Sequence, residues 1–230
     1  MITHATGSQD FGGPVAAFLL YNLWIFGHIV YWRNHDPEAS AFMNERLAKL
    51  QEDDPQAELR QQWVPYGKIS ANLKRALVAA EDAKFVDHEG FDWNGMEAAF
   101  EKNLKKGKIV AGGSTISQQL AKNLFLSGQR TPWRKMEEAI ITVMLEGVLD
   151  KRRIFEIYLN VIEWGNGVFG AEAAARHYFH TSAARLSAAQ AAKLAAMVPN
   201  PRFYDLHRNA PGLGKKTRII LRRMNYADYP

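Results

Sequence analysis

From Phe11 to Trp32 the chain runs 22 residues without Asp, Glu, Lys or Arg, about the length an α-helix needs to cross the hydrocarbon core of a bilayer. Tyr31 and Trp32 close the run with amphipathic rings where an interfacial belt would sit. Gly12, Gly13, Pro14, Asn22 and His28 interrupt its apolarity. A secretory signal is the competing reading, but the run lacks a positive n-region and a clear small-residue cleavage site. Residues 11–32 are therefore expected to span or anchor, with 1–10 as a tail.

Beyond this run the pattern turns polar. Residues 33–62 are acidic, contain Pro37 and Pro55, and show helical spacing only around Met43 to Leu50; they are expected as a stalk. A helical domain is expected over 63–230. Leu73, Ala76, Leu77 and Ala80 recur at i, i+3, i+4, i+7 behind the N-cap residue Ser70. A second helix, about Met96 to Leu104, ends in Lys105, Lys106, Gly107 and Lys108, with cations and glycine where dipole and cap favour them. Thr115 and Gln118 have capping-box spacing after Gly112 and Gly113. A third helix spans about Trp133 to Asp150, with Ile140, Val143, Met144 and Val148 expected inward. Both Glu137 and Glu138 have an isoleucine at i+3, Ile140 and Ile141 respectively, so periodicity does not choose between them. Helices follow at Arg152 to Leu159 and Ala171 to Phe179, separated by a tight loop over Glu163 to Gly170. Ser187 and Gln190 open an alanine-rich helix that Val198-Pro-Asn-Pro201 stops. No alternating β-branched run is long enough for a central strand, so the fold is mainly α.

Composition adds compartment and partners. With 230 residues and 47% hydrophobic content the chain can bury a real core, and without cysteine it has neither disulfides nor thiolate metal sites. Net charge is +5 but unevenly spread: Asp36 to Glu58 holds seven acidic and two basic residues, Arg202 to Arg223 seven basic and one acidic. The basic end would suit nucleic acid, an anionic membrane or a phosphorylated substrate, or be a solvated helix face. Arg33 follows the apolar run and no Lys or Arg precedes it, which by the positive-inside rule puts the C-terminal bulk in the cytoplasm.

The candidate chemistry centres on Glu81. It falls at i+4 from Leu77 and i+8 from Leu73, extending the apolar stripe. Poor solvation there raises a carboxylate's pKa towards acid or base work near neutral pH; the alternative is a surface residue at a fraying helix end. Val110 to Phe125 resembles a phosphate loop only superficially, because no lysine-serine pair follows the last glycine. Lys122, Arg130, Arg134 and Lys135 place four cations within fourteen positions, which suits a pyrophosphate as well as it suits exposed helix ends. His177 and His180 lack the glutamate and spacing of a helical zinc site, and no metal site is expected. Carboxylates, amides and cations remain, the kit for moving a sugar off a phosphate.

Four ordered motifs carry a resemblance over about Trp63 to Arg223: Glu81-Asp82-x-x-Phe85-x-x-His88-x-Gly90; Gly112-Gly113-Ser114-Thr115-Ile116-Ser117-Gln118-Gln119-Leu120-x-Lys122-Asn123; Arg134-Lys135-x-x-Glu138; and Arg153 through Tyr158-Leu159-Asn160 to Gly165. On these the chain resembles monofunctional biosynthetic peptidoglycan glycosyltransferases, relatives of the glycosyltransferase domain of class A penicillin-binding proteins. The resemblance implies a lysozyme-like helical head with a smaller membrane-proximal jaw. It implies polymerisation of lipid II into β-1,4-linked glycan with inversion and release of undecaprenyl pyrophosphate. By the family's pattern Glu81 is the general base and Glu138 a second carboxylate at the donor pyrophosphate. Lys122, Arg130, Arg134 and Lys135 match its phosphate-holding positions, and Ser114, Gln118, Gln119 and Asn123 match polar positions of its cleft. It leaves a divalent cation, Mg or Mn, open at the pyrophosphate. It implies lipid II, the growing glycan chain and membrane phospholipid as partners, with cell-division or penicillin-binding proteins as further candidates. It also reverses the orientation read from charge, placing a single-pass protein in the inner membrane with its catalytic domain in the periplasm.

Three rivals stand beside this reading. A glycan hydrolase would use the same two carboxylates but has no pyrophosphate to neutralise. A membrane-anchored glycan-binding scaffold would not need intact acidic and basic motif positions. A nucleic-acid binder is disfavoured by the apolar run and the lack of a reading helix.

Overall fold

The computed structural model describes residues 12–108, 112–129 and 131–230. The N-terminal helix α1 (Gly12–Tyr31) is long and apolar enough to cross a membrane. Val15, Leu19, Leu20 and Leu23 are exposed, whereas Ile25, Ile29 and, just past its end, Trp32 are buried against the rest of the chain. Phe18 meets Trp133 at 6.0 Å between ring centroids, and Trp32 meets Phe125 at 5.2 Å. Arg153 fastens the exit from the helix, its Nε donating to the Trp32 carbonyl and its guanidinium pairing with Asp36, both at 2.9 Å.

The segment expected as a stalk is instead packed structure. Helix α2 (Ala41–Asp53) starts on the buried N-cap Ser40, and strand β1 (Arg60–Gln61) follows it. Arg46 reaches Glu163 at 2.9 Å, and Glu45 accepts from the Gly128 amide at 3.1 Å. Both partners lie far along the chain, which is why local polarity alone suggested a linker.

The helices of the main domain begin largely where capping chemistry places them. Ser70 caps α3 (Ala71–Glu81) and Asp92 caps α4 (Trp93–Lys106), which ends at Gly107 in the left-handed conformation. The capping box of Thr115 and Gln118 opens α5 (Ile116–Phe125), and Thr131 with Pro132 opens α6 (Pro132–Val148). Asp150 caps α7 (Lys151–Val161), which is almost wholly buried through Ile154, Phe155, Ile157, Tyr158, Leu159 and Val161. The loop expected over Glu163 to Gly170 contains strands β2 (Glu163–Gly165) and β3 (Val168–Phe169), too short to leave an alternating pattern. β3 pairs antiparallel with β2 across an irregularity and parallel with β1, giving the order β1-β3-β2. Helices α8 (Ala171–Phe179), α9 (Ala188–Met197), α10 (Pro201–Leu206) and the basic α11 (Pro211–Arg223) complete the chain.

Helix α3 packs on α9 and α11, while α5 packs on α6 and α7, so the ends of α3 and α5 meet over one core. Helix α4 stands apart with Trp93, Phe100 and Leu104 exposed and few contacts to other helices. Helix α6 corrects the expected facing. Met144 and Val148 pack partly buried against the core as expected, but the fully buried residues are Glu138, Ile141, Thr142 and Leu145, and Val143 is 61% exposed. Apolar residues surround this helix because α1 packs along it as well, so periodicity alone could not pick the core side.

Gly90 marks the closest approach in the loop after α3. Its φ is +89°, and a Cβ there would lie 2.8 Å from Thr142 Cγ2 and 3.1 Å from Glu146 Cγ. Gly90→Ala is expected to cost about 2 kcal/mol through strain and overpacking. For a chain of this size that lowers the thermal midpoint in detergent by roughly 4–8 °C. An unchanged midpoint would show that the loop relaxes freely.

Candidate active site

Glu81 is the last residue of α3, and Asp82 after it is the buried C-cap. The two carboxylates do different work. Asp82 accepts from the Ile116 amide at 3.0 Å, placing a negative charge on the N-terminus of α5, and from His88 Nε2 at 2.9 Å. It joins α3 to α5. Glu81 accepts one bond from Gln119 Nε2 at 2.9 Å, and Gln119 Oε1 in turn accepts from the Tyr158 hydroxyl at 3.0 Å. Burial raises the Glu81 pKa above the ordinary carboxylate value, although the Gln119 bond and the charges of Lys216 and Lys122 pull the other way. Burial, together with the charges of Glu81 and Asp82, keeps the Tyr158 hydroxyl protonated as a donor.

Two cavities open beside this chain of bonds. The smaller, about 230 Å³, is lined by Glu81, Asp82, Gly112, Gly113, Ser114 and Arg223 among others. The larger, about 490 Å³, holds Gln119, Lys122, Asn123, Arg134, Glu163 and Arg202. Gln119 lines the larger cavity and holds the carboxylate of the smaller, so it links them. Asn123 is oriented by a 2.7 Å bond to the Gln119 carbonyl.

Glu138, not Glu137, is the buried carboxylate of α6. It accepts from Arg134 Nη1 at 2.8 Å and from Lys135, each about one turn earlier on the helix. Gln118 does not reach the cleft: it is buried, and its side chain accepts from the Thr115 amide in the capping box. Lys135 does not line either cavity. Arg130 lies outside the described residues.

Glu163 lines the larger cavity but drew no attention in the sequence, where it opens an apparent loop. Burial raises its pKa against the opposing pull of Arg46 and, at 3.8 Å, Arg202. Only its place between distant cations sets it apart, and local sequence carries no signal for that.

The family model described as Transglycosylase matches residues 45–225. The chain belongs to the transglycosylase family. It is similar to proteins named biosynthetic peptidoglycan transglycosylase from Chromobacterium violaceum, 80% identical over 94% of this chain and 95% of that protein. Those from Laribacter hongkongensis, 71% identical over 94% and 95%, and Methylobacillus flagellatus, 69% identical over 92% and 93%, are similar along the same length. The chain is thus a peptidoglycan glycosyltransferase with a lysozyme-like helical fold and an N-terminal apolar helix suited to membrane anchoring. The match starting at residue 45 takes in most of α2, in keeping with the packing of that helix on the head.

Proposed function

We propose that Glu81 is the general base of lipid II polymerisation and that the two cavities divide the work, the smaller taking the acceptor and the larger the donor pyrophosphate. The observation that carries this is the Gln119 bridge: one side chain joins a carboxylate of raised pKa to a cavity walled by Lys122 and Arg134. The acceptor's 4-hydroxyl gives its proton to Glu81 as its oxygen bonds to the anomeric carbon of the growing chain. The bond from that carbon to the phosphate oxygen breaks on the opposite face, and the diphosphate leaves with the electron pair. One displacement inverts the centre, so no glycosyl-enzyme forms.

Lys122 and Arg134, which wall the larger cavity, meet the negative charge that develops on the leaving diphosphate. Ser114 and Asn123 orient the sugars. Glu138 already holds Arg134 and Lys135, so its carboxylate is engaged without a divalent ion. No step is routed through one. Helix α1 anchors the head at the inner membrane, with the cleft on the periplasmic side beside its lipid-linked substrate. Exposed Trp93, Phe100 and Leu104 of α4, near Lys105 and Lys106, suit an anionic phospholipid surface.

The test is labelled lipid II in detergent with the full chain, products separated by length. Long glycan and released undecaprenyl pyrophosphate are expected. Intact lipid II with shortening of preformed glycan would establish the hydrolase instead.

A further inference from the structure

Helix α2 presents Phe42, Glu45 and Arg46 at i, i+3, i+4, on one face. Each touches a different part of the larger cavity's surroundings. The Phe42 ring lies 5.4 Å from the Lys122 ammonium and lines the cavity. Glu45 holds the amide of Gly128, and Arg46 pairs with Glu163, both partners also lining it. These two contacts hold the helix against the cavity, and the Phe42 ring faces the cation. Phe42 precedes the residues that the family model matches and lies outside the four motifs.

We propose that α2 forms a wall of the donor cavity and that Phe42 is a positioning residue, holding the Lys122 ammonium where it meets the donor diphosphate. The inference rests on the reading of Lys122 as a ligand of that diphosphate. The negative face of an aromatic ring attracts a cation without offering it a hydrogen-bond acceptor. The ring therefore holds the ammonium at the cavity wall without adding a negative charge that would oppose incoming phosphate oxygens. A carboxylate in the same place would hold the cation but repel the ligand.

Leucine at position 42 keeps the apolar bulk and removes the ring, whereas tyrosine keeps both. The measurement is binding of undecaprenyl pyrophosphate to the full chain in detergent, with kcat and KM for lipid II, for Phe42→Leu, Phe42→Tyr, Lys122→Ala and the Phe42→Leu/Lys122→Ala double variant. Phe42→Leu is expected to weaken binding and raise KM by about three- to tenfold, with kcat moved less. Phe42→Tyr should bind as the wild type does, and Phe42→Leu should cost nothing further once Lys122 is alanine. Wild-type binding by Phe42→Leu, or an equal loss in both backgrounds, would overturn the inference and leave Phe42 as packing. If Lys122→Ala alone left binding unchanged, the donor reading of Lys122 would fall first and the inference with it.

Discussion

Glu81→Gln is expected to reduce lipid II polymerisation by about 10²–10⁴-fold, the contribution of a positioned general base, while binding of undecaprenyl pyrophosphate persists. Glutamine keeps the shape of the side chain and still accepts the bond from Gln119, so the donor cavity stays organised. The pH dependence follows from the environment of the carboxylate. Glu81 must be ionised to take a proton, and burial raises its pKa, so the acidic limb of kcat/KM should lie above the ordinary carboxylate range. Stability should move the other way. A carboxyl with a raised folded-state pKa contributes stability that is present at low pH and lost as pH rises through the folded value. At neutral pH the ionised Glu81 is thus a burden on the fold, and Glu81→Gln should unfold at a midpoint no lower than the wild type. Its advantage should vanish in acid. Full activity in the variant would move the base elsewhere, with Glu163 the first candidate because it too is a cavity carboxylate of raised pKa.

The features legible in the sequence were those whose physics is local. The capping boxes at Thr115 and Ser187, the Ser70 cap and the left-handed Gly107 each depend on residues within one turn, and each forms as expected. Glu81 was readable because a helical stripe projects burial one turn ahead. Gln118 shows the limit of the resemblance: its spacing suited a cap, the family pattern put it in the cleft, and the side chain serves the cap. The helical spacing of α2 was legible around Met43 to Leu50, but its packing was hidden because its fastening to β2 spans 117 residues, from Arg46 to Glu163, and no local pattern encodes such a pair. The choice between Glu137 and Glu138 was likewise tertiary, made by which face of α6 meets the core. The four motifs supplied what local physics could not, since they name positions that only the folded chain brings together.

Glu138→Ala is expected to be the most destabilising of these substitutions. The carboxylate is 3% exposed and holds Arg134 and Lys135 on the first turns of α6. Two cations there oppose the helix dipole, and Glu138 offsets them. Removing one partner of a buried pair typically costs about 3–5 kcal/mol. Lys135 is 45% exposed at its side chain and screened by solvent, so its share is small and the loss falls mainly on Arg134, whose side chain is 15% exposed. A cost of about 2–4 kcal/mol follows. Glu138→Gln, which keeps the volume and removes the charge, should lie between the wild type and Glu138→Ala. The same pair predicts a ligand effect. With no carboxylate competing for Arg134, donor diphosphate becomes its principal anionic partner, so undecaprenyl pyrophosphate should raise the unfolding midpoint of Glu138→Gln more than that of the wild type. Equal shifts would show that Arg134 does not exchange Glu138 for phosphate. Glu138 would then hold the cation in one place through the whole reaction, and its removal would act on turnover through position alone.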